Sequence, residues 1–145
     1  VPDQTAEHVS EAIRRKTEGR VACAAAGGRP AIDRRLAELD REWDIERTLE
    51  ANAATVALSG VVLAITVDRK WIALPAVVAG FLLQHALQGW CPPVPVFRRL
   101  GFRTQREIDE ERYALKALRG DFAELARSEP TSGTAVAQVL AAVRR

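Results

Sequence analysis

Thiols are scarce in this chain. Of 145 residues only Cys23 and Cys91 carry one, so there is no disulfide framework and no C-x-x-C pair for metal or dithiol chemistry. Histidine is equally sparse, and His8 and His85 lie too far apart in sequence to support a metal site. Aromatic residues make up 6% of the chain, too few for a base-stacking platform, and a net charge of +2 is too small to attract nucleic acid. Methionine is absent, which fits removal of an initiator before the small Val1. No continuous apolar run occurs in the first thirty residues, so no signal peptide is expected. The most informative absence is local. Although 28% of the chain is charged, residues 51–67 and 71–90 contain no Asp, Glu, Lys or Arg.

Those two stretches, of 17 and 20 residues, are separated only by Asp68-Arg69-Lys70. A helix needs about 20 apolar residues to cross a bilayer, with about 17 as the lower bound. The mean hydropathy of −0.10 hides the pattern, because charge gathers at the two ends of the chain and apolar residues in the middle. Both stretches are apolar on every side, unlike the striped helices of a soluble bundle. Small residues recur in them, and Gly60-x-x-x-Ala64 and Ala76-x-x-x-Gly80 have the spacing that lets helices approach closely in lipid. Trp71 and Trp90 bracket the second stretch at interface positions. The expected fold is all-α, a two-helix transmembrane hairpin over residues 51–90 flanked by amphipathic cytoplasmic helices. The lipid bilayer is the expected partner.

The flanks read as follows. Residues 5–17 form a short polar helix stopped at Gly19, and the Gly- and Ala-rich residues 19–30 form a linker. A second helix starts near Pro30, with Ile32, Leu36, Leu39 and Trp43 as its apolar seam. It meets no breaker before residue 51 and is expected to run into the first apolar stretch. Three prolines in Cys91-Pro92-Pro93-Val94-Pro95 force the chain out of the second. Phe97, Leu100 and Phe102, interleaved with Arg98, Arg99 and Arg103, suit a headgroup region. Thr104-Gln105-Arg106-Glu107 is a capping box opening a helix with the seam Ile108, Leu115, Leu118, Phe122 and Leu125. Residues 129–133 break it, and residues 127–145 are a tail or short last helix. The expected division is thus 1–30, a helical membrane domain over 31–126, and 127–145.

Arg34, Arg35, Arg41 and Arg47 precede the apolar pair, and Arg98, Arg99, Arg103 and Arg106 follow it. The connecting turn holds only Arg69 and Lys70. The excess of basic residues places both termini in the cytoplasm.

Few residues suggest chemistry. Gln84, His85 and Gln88 form a polar set in the last third of the second stretch, read either as a proton or ligand relay or as interhelical hydrogen bonding. Cys91, at the end of that helix, is a sulfur-handling candidate or a small buried residue at a turn. Cys23 and Arg29 have the spacing of a Cys-x5-Arg phosphate loop, but such a loop needs a strand before it and none is expected. No catalytic set, cofactor loop or zinc spacing is visible, so no enzyme, cofactor or metal is expected.

Asp44-Ile45-Glu46-Arg47-Thr48-Leu49-Glu50-Ala51-Asn52 leads into the apolar pair. Phe81-Leu82-Leu83-Gln84-His85-Ala86-Leu87-Gln88-Gly89-Trp90-Cys91-Pro92-Pro93 closes it. With Arg119-Gly120-Asp121-Phe122, these residues resemble the YgaP-like transmembrane domain family of small bacterial inner-membrane proteins, over residues 44–122. The resemblance implies a helical membrane hairpin, often dimeric, of poorly defined role, in which Cys91 matches the family's cysteine. Some members are fused to a rhodanese domain that carries persulfide sulfur; this chain has no room for one. The implied role is a self-associating inner-membrane protein, with a link to sulfur traffic through Cys91 and a sulfurtransferase or other membrane protein as partner. The competing class is a soluble α-helical module that binds a partner through the two seams.

Overall fold

A computed structural model describes residues 1, 5–123, 139–141 and 143. Among them the chain is all-α: α1 Glu7–Ala26, α2 Gly28–Leu39, α3 Ile45–Thr66, α4 Ala73–Gln88, α5 Val94–Leu100 and α6 Gln105–Arg119, with a single 3₁₀ turn at Arg69–Ile72 between α3 and α4. Leu125, residues 129–133 and most of the expected C-terminal helix lie outside the described residues.

Three boundaries differ from expectation. α1 runs through Gly19 to Ala26, so residues 19–26 are helix rather than linker. Gly19 faces open space, where an exposed glycine costs a helix only about 1 kcal/mol, and the alanines that follow are the strongest helix formers. The break comes instead at Gly27-Gly28, where Gly28 has φ +71°. Second, α2 does not continue into α3. Asp44 is extended (ψ 168°), and its side chain accepts the backbone N–H of Arg47 at 2.6 Å, so α3 begins with its own cap. Third, the proline-rich exit is itself a helix. Pro95 falls in the first turn of α5, where its missing N–H costs nothing, and Gly101 (φ +91°) ends it.

The chain divides into two compact units. The first comprises Val1–Arg15 and Trp43–Glu107. Within it α3 packs on α4. Gly60 is buried there; a Cβ at that position would lie 2.6 Å from Pro75 Cδ and 3.1 Å from Leu74 Cβ. The hydroxyls of Thr48, Thr55, Ser59 and Thr66 each donate to the carbonyl four residues back in α3, at 2.7–2.8 Å. α4 ends at Gly89, whose left-handed conformation (φ +68°) lets its N–H reach His85 O at 2.7 Å. A small core of Ile45, Leu49, Cys91 and Val94 holds the start of α3 to α5, with Leu82, Phe97 and Phe102 packed around it.

The second unit comprises Lys16–Glu42 and Ile108–Arg145. Its core joins Ala24 of α1 and Ile32, Leu36 and Leu39 of α2 to Ile108 and Leu115 of α6. Trp43, expected at the end of the α2 seam, is exposed, as is Leu118 of the α6 seam. Ion pairs fix the register of α2 on α6. Arg35 Nε donates to the buried Glu111 at 2.7 Å, Arg112 reaches Asp40 at 2.7 Å, and Arg119 reaches Asp33 at 2.7 Å.

Candidate functional site

Two helices of the first unit are long and apolar enough to cross a membrane, Ile45–Thr66 with 22 residues and Arg69–Gln88 with 20, the latter counted with its 3₁₀ turn. Only 11% of the apolar window is buried in the first and none in the second. Leu58, Val62, Ile65, Val77, Leu83 and Leu87 all stand exposed, Ile65 at 80% and Leu87 at 77%. Soluble monomers rarely leave contiguous apolar patches of more than a few hundred Å² open. At the turn, Asp68 accepts the N–H of Lys70, and Trp71 is half exposed. At the other end the Arg47 guanidinium lies 4.3 Å above the exposed Trp43 ring.

The two small-residue motifs are not equivalent. Gly60 and, less fully, Ala64 are covered within the chain. Ala76 and Gly80 are exposed, with nothing within 4 Å of a Cβ built at Gly80. The polar set also divides. Gln84 and His85 are partly buried, Gln88 is exposed, and the buried His85 Nδ1 has no hydrogen-bond partner among the described residues.

Cys91 sits under the helix pair and is only 5% exposed. Burial pushes its thiol pKa up, which suppresses the reactive thiolate. It lines an apolar cleft of about 200 Å³ with Leu49 and Val56 of α3, Val78, Phe81 and Leu82 of α4, and Pro92 and Pro93. The polar side chain on that wall is Asn52. Cys23, by contrast, is exposed near the end of α1, where its carbonyl accepts the N–H of Gly27. The segment from Cys23 to Arg29 is therefore a helix end and a helix start, not a phosphate cradle. Among the described residues no three His, Cys, Asp or Glu side chains gather as a metal site would need.

Arg98 was expected at a headgroup surface and is instead 1% exposed. Its guanidinium forks onto Glu107 with two 2.7 Å bonds, and it also donates to Phe102 O and Thr5 Oγ1. Glu107 accepts the N–H of Thr104 at 2.8 Å as well, so the capping box and the ion pair share one carboxylate. Arg103 is likewise buried, and its carbonyl accepts the N–H of Ile45 at 2.8 Å. Neither burial had a local signal, because an arginine between apolar residues reads the same on a surface as in a core.

No protein-family model, curated protein or solved structure matches the chain.

Proposed function

We propose that this chain is a small integral membrane protein in which α3 and α4 cross a bilayer as a hairpin, and that it acts without enzymatic chemistry of its own. The observation carrying this reading is the pairing of length with exposure. Both helices are long enough to span, and among the described residues almost nothing covers them. In water this surface would drive aggregation; in hydrocarbon it is the expected finish of a spanning helix. The flanking arginines favour both termini on the cytoplasmic side, since Arg34, Arg41 and Arg99 are exposed and the turn carries only Arg69 and Lys70. A family kinship of the YgaP-like kind fits the same picture.

Self-association belongs to this proposal, through the open Ala76 and Gly80 side of α4. The seams of α2 and α6 do not offer a second route, because Ile32, Leu36, Leu39, Ile108 and Leu115 are buried on one another. A soluble partner-binding module would have only the exposed Trp43 and Leu118 of those seams among the described residues. For Cys91 the structural role is the better supported, because burial and a raised pKa both oppose sulfur transfer. Alkaline carbonate extraction of membranes tests the reading. The protein should stay in the pellet and need detergent for release; recovery in the carbonate supernatant would overturn it.

A further inference from the structure

We propose that the cleft over Cys91 holds the end of a phospholipid acyl chain, an inference that rests on the membrane reading above. The cleft lies between the first half of α3 and the second half of α4, and is closed below by Cys91, Pro92 and Pro93. Its walls carry no charged side chain, and Leu49, Val56, Val78, Phe81 and Leu82 make it hydrocarbon in character. A carboxylate, phosphate or charged peptide would lose its hydration there with only the Asn52 amide in exchange. Cys91, nearly sealed in the wall, offers at most a weak S–H donor. The ligand is therefore apolar where it touches the cleft.

Size and position narrow it further. An apolar cavity of about 150 Å³ is enough for benzene, so this cleft of about 200 Å³ takes only a short length of hydrocarbon. That is the end of a chain and not a whole lipid. The cleft is partly open, and its α3 and α4 walls continue into the uncovered apolar sides of the same helices. Its mouth thus opens on the surface that the membrane reading puts among lipid tails. An acyl chain reaching in from that side replaces void with contacts for the lining residues, which is where packing energy is gained.

The test uses the full chain reconstituted in dioleoyl phosphatidylcholine vesicles, re-extracted into detergent and weighed by native mass spectrometry. One phospholipid per chain should be retained by the wild type and by Ala54→Phe, whose site is exposed and off the cleft. Ala53→Phe, which fills the cleft, should lose it. A second readout needs no change in the wall: in Cys23→Ser, N-ethylmaleimide should label Cys91 faster after delipidation, and added phosphatidylcholine should slow it again. Retention that is absent in wild type, or equal in Ala53→Phe, overturns the proposal, as does a labelling rate indifferent to lipid. A retained free fatty acid in place of phospholipid also overturns it. Each of those results leaves the membrane reading intact, whereas failure to partition into vesicles at all removes both.

Discussion

Replacing Gly60 and Gly80 separately by valine should produce opposite phenotypes. At Gly60 even a Cβ would sit 2.6 Å from Pro75 Cδ and 3.1 Å from Leu74 Cβ, and a proline ring cannot swing aside as a flexible side chain would. Overpacking of this kind costs about 1–3 kcal/mol, offset by only a few tenths from exchanging glycine for valine in a helix. Gly60→Val should therefore lower stability by about 1–3 kcal/mol, and at about 2–4 °C per kcal/mol for a chain of this size its melting temperature should fall by about 2–12 °C. At Gly80 a Cβ would have no atom of another element within 4 Å, so valine should leave unfolding within about 0.5 kcal/mol of wild type. It would, however, thicken the side of α4 through which two copies are proposed to meet. Thermal unfolding by circular dichroism in detergent, alongside energy transfer between labelled copies, reads both effects. Gly60→Val should melt early with association kept, and Gly80→Val should melt normally with association weakened. Should Gly80→Val destabilise as much as Gly60→Val, the assignment of one small-residue side inward and the other outward is wrong.

The Arg98–Glu107 pair should show as a pH-dependent contribution. Burial pushes the Glu107 carboxyl up, but hydrogen bonds from Arg98 and Thr104 outweigh it and hold the pKa below the usual range. A depressed folded-state pKa gives stability that is complete above the unfolded value near ~4.3 and fades as pH falls through the folded one. Glu107→Gln should therefore be markedly less stable than wild type at pH 7 and approach it below about pH 4 in denaturant titrations, while a gap that ignores pH would contradict this. Asp44→Ala should cost about 1 kcal/mol and speed amide exchange at Arg47, with Asp44→Asn close to wild type; unchanged exchange would mean that the cap is idle. At neutral pH, maleimide should modify the exposed Cys23 well before the buried Cys91, and equal rates would refute the burial of Cys91.

The apolar stretches and the capping box were legible because each is a contiguous pattern. Charge is missing over whole helical turns, and Thr104 and Glu107 stand three apart, as the reciprocal bonds require. Helix ends were harder. The charged residues between Leu39 and residue 51 suit a continuous helix by propensity, and the stop depends on Asp44 turning its side chain onto Arg47 N. At Gly19 one breaker was outvoted by its neighbours, and at Pro95 a breaker sat in the single turn that tolerates it. The cleft was beyond reach because it arises where segments distant in sequence meet, and the Arg98–Glu107 pair because it joins two helices across a turn that no periodicity links.

The hydroxyls of α3 bear on the proposed crossing of a membrane. A hydroxyl moved from water to hydrocarbon with no acceptor costs about 4–8 kcal/mol. Thr48, Thr55, Ser59 and Thr66 carry their acceptors with them, on the carbonyls one turn back. Three of these hydroxyls, on Thr55, Ser59 and Thr66, fall in the charge-free residues 51–67, about 25 Å of helix at 1.5 Å per residue, and so do not shorten its apolar length. α4 differs: the Nδ1 of His85 is buried without a partner among the described residues, and Gln84 and Gln88 have amides that their own helix does not absorb. Of the two, the later helix is the one whose polar groups give it a reason to find company inside the bilayer.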